Sequence, residues 1–128
     1  DFLYADDGDD KLHLETEKNL QDAVAGISNV LELAGIEVVL NKINVDSKEL
    51  AEKYKFTVSP TIRVDGRDIQ VETREVISPS PREQWKDKLK HRVWMYKDKE
   101  YYIPPTALLA GGLLRNIFSH EDESVENT

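Results

Sequence analysis

Asp10-Lys11-Leu12-His13 stands where an acidic run gives way to a long amphipathic stretch. A histidine there titrates near neutrality and can act as acid, base or metal ligand. An Asp at a helix start is favoured by the helix dipole. Asp10 and His13 are thus the candidate metal pair, although one histidine without a second beside it is a poor transition-metal site. A plain polar loop is the simpler reading of these residues. Asp6, Asp7, Asp9, Asp10 and Glu15 offer oxygens to a hard cation, and Gly8 lets the loop turn tightly, but the spacing is not that of an EF-hand. A solvated acidic loop is the default. The second candidate is the turn Ser59-Pro60-Thr61. A cis proline would bend the chain here. The residue before such a proline offers its backbone to an extended peptide, in the general strand-pairing mode of recognition.

Other chemistries lack their residues. There is no cysteine, hence no disulfide, thiolate nucleophile, cysteine zinc site or thiol redox couple. His13, His91 and His120 are dispersed, and Ser59, Ser78 and Ser80 have no nucleophile-elbow glycines around them. Gly111-Gly112 lies in an apolar run without the lysine of a phosphate loop. Arg82, Lys86, Lys88, Lys90, Arg92, Lys97 and Lys99, interleaved with Trp85, Trp94 and Tyr96, could track phosphates while the rings stack on bases. Both tryptophans also fit core positions, so a solvated basic face is the simpler reading.

The elements that must position these residues follow from periodicity. Phe2–Ala5 reads as a short strand. Leu20, Val24, Ile27, Leu31 and Ala34 mark one face of a helix starting near Thr16, with Gly35 as its left-handed stop. Ile36 to Val45 is nearly continuous and β-branched, as for a strand buried on both faces, with Val38–Ile43 as its core. Asp46 to Tyr54 makes a short helix, Asp46 and Glu49 resembling a capping box. Thr61–Val64 and Asp68–Val71 flank Asp65-Gly66-Arg67, a strong hairpin signal. Ser80, Pro81 and Glu83 open a helix to Lys90. Val93–Tyr96 and Tyr101–Ile103 make a second hairpin, and Thr106 to Phe118 a last helix that Gly111-Gly112 weakens.

The 128 residues suit one domain with a real core, spanning 1–118, followed by an acidic segment 119–128 expected to be disordered. Hydrophobic residues make up 39% and charged ones 33%, a soluble globular profile, and no apolar run reaches membrane-helix length. The net charge is −8, with acids concentrated at the two ends, leaving a near-neutral body and arguing against generic nucleic-acid binding. A chain beginning at Asp1 leaves room for a removed leader. The cytoplasm is the expected compartment, although absence of cysteine fits either redox environment.

The element order β-α-β-α-β-β-α resembles that of thioredoxins. So do Asn44-Val45-Asp46, Glu49-Leu50-Ala51-Glu52-Lys53-Tyr54 and Val58-Ser59-Pro60-Thr61. The resemblance implies a thioredoxin-like three-layer α/β/α sandwich with a mixed sheet, a cis Pro60 facing the site, and an added C-terminal hairpin and helix. Over nearly its full length the chain is similar to a small prokaryotic thioredoxin-like family of unknown function. That likeness rests on Thr16-Glu17-Lys18-Asn19-Leu20, Ser59-Pro60-Thr61-Ile62-Arg63, Gly66-Arg67-Asp68-Ile69 and Arg92-Val93-Trp94-Met95-Tyr96 leading to Tyr102 and Pro104-Pro105. There a Cys-x-x-Cys pair precedes the helix; Asp10 and His13 occupy its place here. More cysteines are expected around Ile77 to Arg82, where this chain has Ser and Pro. Thiol–disulfide activity therefore does not carry over. The expectation is a binding or scaffold module without cofactor, whose groove is formed by Asp10, His13, Ser59, Pro60 and Thr61. It would take a protein or peptide ligand, neither membrane nor nucleic acid, with the oligomeric state open. The alternative is a metal-binding protein using Asp10 and His13.

Overall fold

A computed structural model describes residues 1–5, 10–69, 71–77 and 90–126. The expected helix from Pro81, the Ser78–Arg82 loop and the acids Asp6, Asp7 and Asp9 lie outside them.

The longest helix, α1 (Asp10–Leu33), starts earlier than Thr16. Nothing between Asp10 and Thr16 breaks a helix, and a formed helix gains one hydrogen bond for each residue added. Its inner face carries Leu20, Ala23, Ile27 and Leu31, all buried, while Ala34 is exposed. The stop is as the sequence implies. Gly35 has φ +78, the Gly35 N–H donates to the Glu32 carbonyl at 3.0 Å, and the Ile36 N–H donates to Leu31 at 2.8 Å. This is the Schellman pattern.

Strand β1 (Phe2–Tyr4) pairs in parallel with β2 (Lys42–Asn44), Phe2 opposite Lys42. The expected strand over Val38–Ile43 is mostly absent. In that register β2 begins at Lys42, and Asn41 takes part through its carbonyl, which accepts from the Phe2 N–H at 2.8 Å. Nor is the segment buried on both faces: Ile36, Val38 and Leu40 are half-buried, alternating with exposed Glu37, Val39 and Asn41. A continuous apolar run does not reveal whether one face or two will be covered.

The short helix α2 (Lys48–Lys53) is capped by Ser47, whose Oγ accepts from the Leu50 N–H at 3.2 Å, rather than by Asp46. Both are good caps. The choice sets Leu50, Ala51 and Tyr54 against buried Leu3, Val45 and Phe56. Two-residue β3 (Val58–Ser59) precedes β4 (Thr61–Val64), which runs antiparallel to β1 and to β5 (Arg67–Asp68). Asp65 and Gly66 both have positive φ, the type I′ geometry that suits a two-residue hairpin, so Arg67 belongs to the strand. β5 stops at Asp68, short of the expected Val71, and the Val71 N–H donates to the Ile69 carbonyl at 3.1 Å.

One sheet thus runs β2-β1-β4-β5. The second comes from β6 (Thr73–Ile77), β7 (Lys90–Tyr96) and β8 (Lys99–Tyr101). β7 is its spine: β6 lies antiparallel along one edge, and β8 and parallel β3 share the other. β6 carries no period that marks it as a strand, and Lys90, expected to end a helix, instead begins β7. The hairpin turn Lys97-Asp98 has positive φ at both residues without a glycine.

Helix α3 (Thr106–Glu126) packs on α1. Its backbone stays helical past Phe118, where the apolar pattern stops. The layers follow from alternation along β1. Phe2 and Tyr4 join Leu20, Ile27, Leu31, Ile62, Trp94 and Leu109 on the side of α1 and α3, whereas Leu3 faces α2. The architecture is a mixed α/β sandwich. Among the described residues no helix is long and apolar enough to cross a membrane.

Candidate functional site

The end of β1 links the two candidate segments. The Tyr4 ring stacks on His13, centroids 4.5 Å apart and planes 10° from parallel, with Phe2 stacked on Tyr4 at 5.5 Å. One residue on, the Ala5 N–H donates to Ser59 Oγ at 3.4 Å. His13 on the first turns of α1 and Ser59 before the proline are therefore held against neighbouring residues of one strand end. The Ser59–Pro60 peptide bond is cis. His13, Ser59 and Pro60 are half-buried. Asp10 is the first residue of α1, one turn before His13.

Thr61 is different. It is buried at the start of β4, and its hydroxyl donates to the Val58 carbonyl at 2.5 Å, closing the proline turn. It shapes the turn and offers no free hydroxyl to a ligand. Backbone at the turn is also partly committed. β3 pairs in parallel with β7, Val58 opposite Lys90 and Ser59 opposite His91, and the Lys90 N–H donates to the Thr57 carbonyl. The chain's own strand occupies that edge.

Residues outside the sequence candidates complete the surface. Glu17, one turn after His13, holds Lys42 at 2.9 Å, and Lys42 Nζ lies 5.5 Å from the Tyr4 ring centroid. The hydrogen bond that Lys42 donates to Glu17 raises the Lys42 pKa against desolvation, and the charges of Glu17 and Tyr4 add to the rise. The four-residue spacing of His13 and Glu17 was visible in the sequence; the approach of Lys42 depends on the parallel register of β1 and β2. Among the described residues no group of three or more His, Cys, Asp or Glu gathers to hold a metal.

Of the basic stretch, Arg82, Trp85, Lys86 and Lys88 lie outside the described residues, and the rest divides in two. Lys90, His91, Lys97 and Lys99 are exposed, but Arg92 is buried and grips Asp68 with two hydrogen bonds, 3.2 and 3.0 Å. Trp94 is fully buried. Neither is available to a phosphate or a base, so the stacking surface imagined for this stretch loses its central pair.

No curated relative and no solved structure matches the chain. A family model described as "Domain of unknown function (DUF2703)" matches residues 7–111. With His13, Ser59, Pro60, Arg92 and Trp94 all inside that span, the chain belongs to this family of unknown function.

Proposed function

We propose that the protein is a thioredoxin-like module without redox activity, binding a protein or peptide through the surface formed by Asp10, His13, Ser59 and Pro60. The observation that carries this reading is the junction at the end of β1, where Tyr4 holds His13 and Ala5 holds Ser59. The sheet order β2-β1-β4-β5, with β1 parallel to β2 and antiparallel to β4, supports a thioredoxin-like core, as does a proline turn leading into β4. Because β7 already pairs with β3, recognition relies on the imidazole, the proline ring and the start of α1 rather than on adding a strand beside Ser59. Without cysteine there is no thiol to exchange.

Two assays test the reading. Insulin reduction by dithiothreitol should run no faster with the protein than without it; acceleration refutes the inactive assignment. A phage-displayed decapeptide library panned on the folded protein should enrich peptides that shift the amides of His13, Ser59 and Thr61. His13→Ala should weaken them at least fivefold. Peptides whose shifts map elsewhere, or no enrichment, overturn the binding surface. The metal reading through Asp10 and His13 gains no third ligating group among the described residues. Calorimetric titration with Zn²⁺ would revive it only by showing affinity tighter than millimolar that His13→Ala abolishes.

A further inference from the structure

Strand β6 ends the second sheet on one side: among the described residues it pairs with β7 alone. Which of its backbone groups that pairing uses follows from the ladder. Just before the strand, the Met95 N–H donates to the Glu72 carbonyl at 3.0 Å, so Glu72 and Met95 are a hydrogen-bonded pair. Such pairs alternate along antiparallel strands. Arg74 opposite Val93 and Val76 opposite His91 therefore turn their N–H and C=O groups toward β7. Those of Thr73, Glu75 and Ile77 point the other way, along an edge that no described strand occupies.

An open edge of this kind is a template for another extended chain. Little in β6 blunts it. The strand has no proline, and its register with β7 runs through all five residues without a bulge. Its two charged side chains are held by partners in the sheet, Arg74 by Glu100 at 3.0 Å and Glu75 by Lys90 at 3.2 Å, and Val76 is 37% exposed. A second copy of the chain fits this edge poorly. Two-fold antiparallel pairing of β6 with itself must be centred on one residue. Centring on Glu75 or on Arg74 sets like charges directly opposite, which is destabilising. Centring on Val76 overlaps only Glu75–Ile77 within the strand. A different sequence escapes both problems. Running antiparallel, it sets a basic residue opposite Glu75, an acidic one opposite Arg74 and an apolar one opposite Val76.

We propose that the outer edge of β6 docks an extended peptide segment of a partner protein by strand addition, the segment reading apolar, basic, acidic from its N-terminal side. This edge lies across β7 from the Ser59–Pro60 turn, and either assignment can fail without the other. Amide hydrogen exchange of the ¹⁵N-labelled protein reads the edge directly. In the free protein Thr73 and Glu75 should exchange fast, and Arg74 and Val76 slowly. A capped peptide with Thr-Val-Lys-Glu-Thr at its centre should bind saturably below millimolar and slow exchange at Thr73 and Glu75. The same peptide with Lys and Glu transposed should bind at least fivefold more weakly. Arg74→Glu combined with Glu75→Lys should reverse that preference. Glu75→Pro removes an outward amide that β7 does not use and should abolish binding; should that variant fail to fold, the charge reversal decides alone. Slow exchange at Glu75 in the free protein overturns the proposal, because the edge is then already covered, by a second copy if the protection grows with protein concentration and by the chain itself if it does not. So does lack of saturation, equal affinity for the two peptides, or protection and shifts confined to the surroundings of His13 and Ser59.

Discussion

Arg92 illustrates how burial inverts the importance suggested by exposure. Its side chain is 5% exposed while that of its partner Asp68 is 55% exposed, and Arg92 Nε has no hydrogen-bond partner. The guanidinium also lies 5.5 Å from the Trp94 ring. Asp68→Ala strands a buried charge and should cost about 2–4 kcal/mol. Arg92→Met leaves a carboxylate that water can solvate and keeps apolar bulk against Trp94, so it should cost about 1–2 kcal/mol. Urea denaturation checks the order; a larger loss for Arg92→Met refutes it. Lys42 makes a prediction in pH. Its pKa is raised in the folded protein, chiefly by the Glu17 hydrogen bond. The proton is held more tightly folded than unfolded, so the pair's contribution is complete below the ordinary value of 10.5 and is lost as pH climbs through the raised one. The urea midpoint should therefore fall more steeply as pH rises above 10.5 in the wild type than in Lys42→Met. His13 and Pro60 were legible as residue types at a turn and a helix start. Lys42 and Glu17 were not, because their meeting depends on strand register.

Glycines of α3 show how one element answers to two demands. Helix propensity alone makes alanine better than glycine by about 1 kcal/mol at both Gly111 and Gly112. At Gly111 an added Cβ meets only the guanidinium of Arg115, 3.3 Å away, the far end of a flexible side chain that needs to give by a few tenths of an ångström. Gly111→Ala should therefore stabilise by about 0.5–1 kcal/mol. At Gly112 the Cβ would fall 2.5 Å from Val71 Cγ1 and 3.0 Å from Ile69 Cγ1. Gly112→Ala should destabilise by about 1–3 kcal/mol despite its better propensity. Thermal melts followed by circular dichroism should shift in opposite directions, and a shared sign would disprove this account of the packing. Lys55, with φ +52 at the end of α2, supplies a third case. Its amide donates to Glu52 and the Phe56 amide to Ala51, the same capping pattern as at Gly35. Lys55→Gly should stabilise by about 1 kcal/mol, since only glycine takes this conformation without steric cost. The Asp65-Gly66 hairpin was legible because its residues suit positive φ. Lys97-Asp98 follows the same geometry with less telling residues.

For the whole molecule, the proposed loss of a redox pair has a constructive test. Asp10 and His13 sit three apart on the first turn of α1, where Cα atoms lie close enough for a disulfide spanning roughly 4.4–6.8 Å. In the double variant Asp10→Cys/His13→Cys, the helix N-terminus should lower one thiol pKa. Intact mass should show reversible loss of two hydrogens on oxidation. A variant that stays reduced, or forms only intermolecular dimers, would refute the placement of the pair. What the sequence determined by itself was local: the absence of thiols, the long amphipathic helix and its glycine stop, the Asp-Gly turn, the α/β character, and a proline turn as the point of interest. Each depends on residues within a few positions of one another, where periodicity and backbone preference act directly. The tertiary structure alone decided the rest. It split the strands into two sheets, with β7 as the spine of the second and as the partner of β3. It limited the segment after α1 to one half-buried face. It put Arg92 and Trp94 into the interior. Those outcomes depend on which distant segments pair and which faces they cover, and the free energy that selects them belongs to the assembled layers rather than to any stretch of chain.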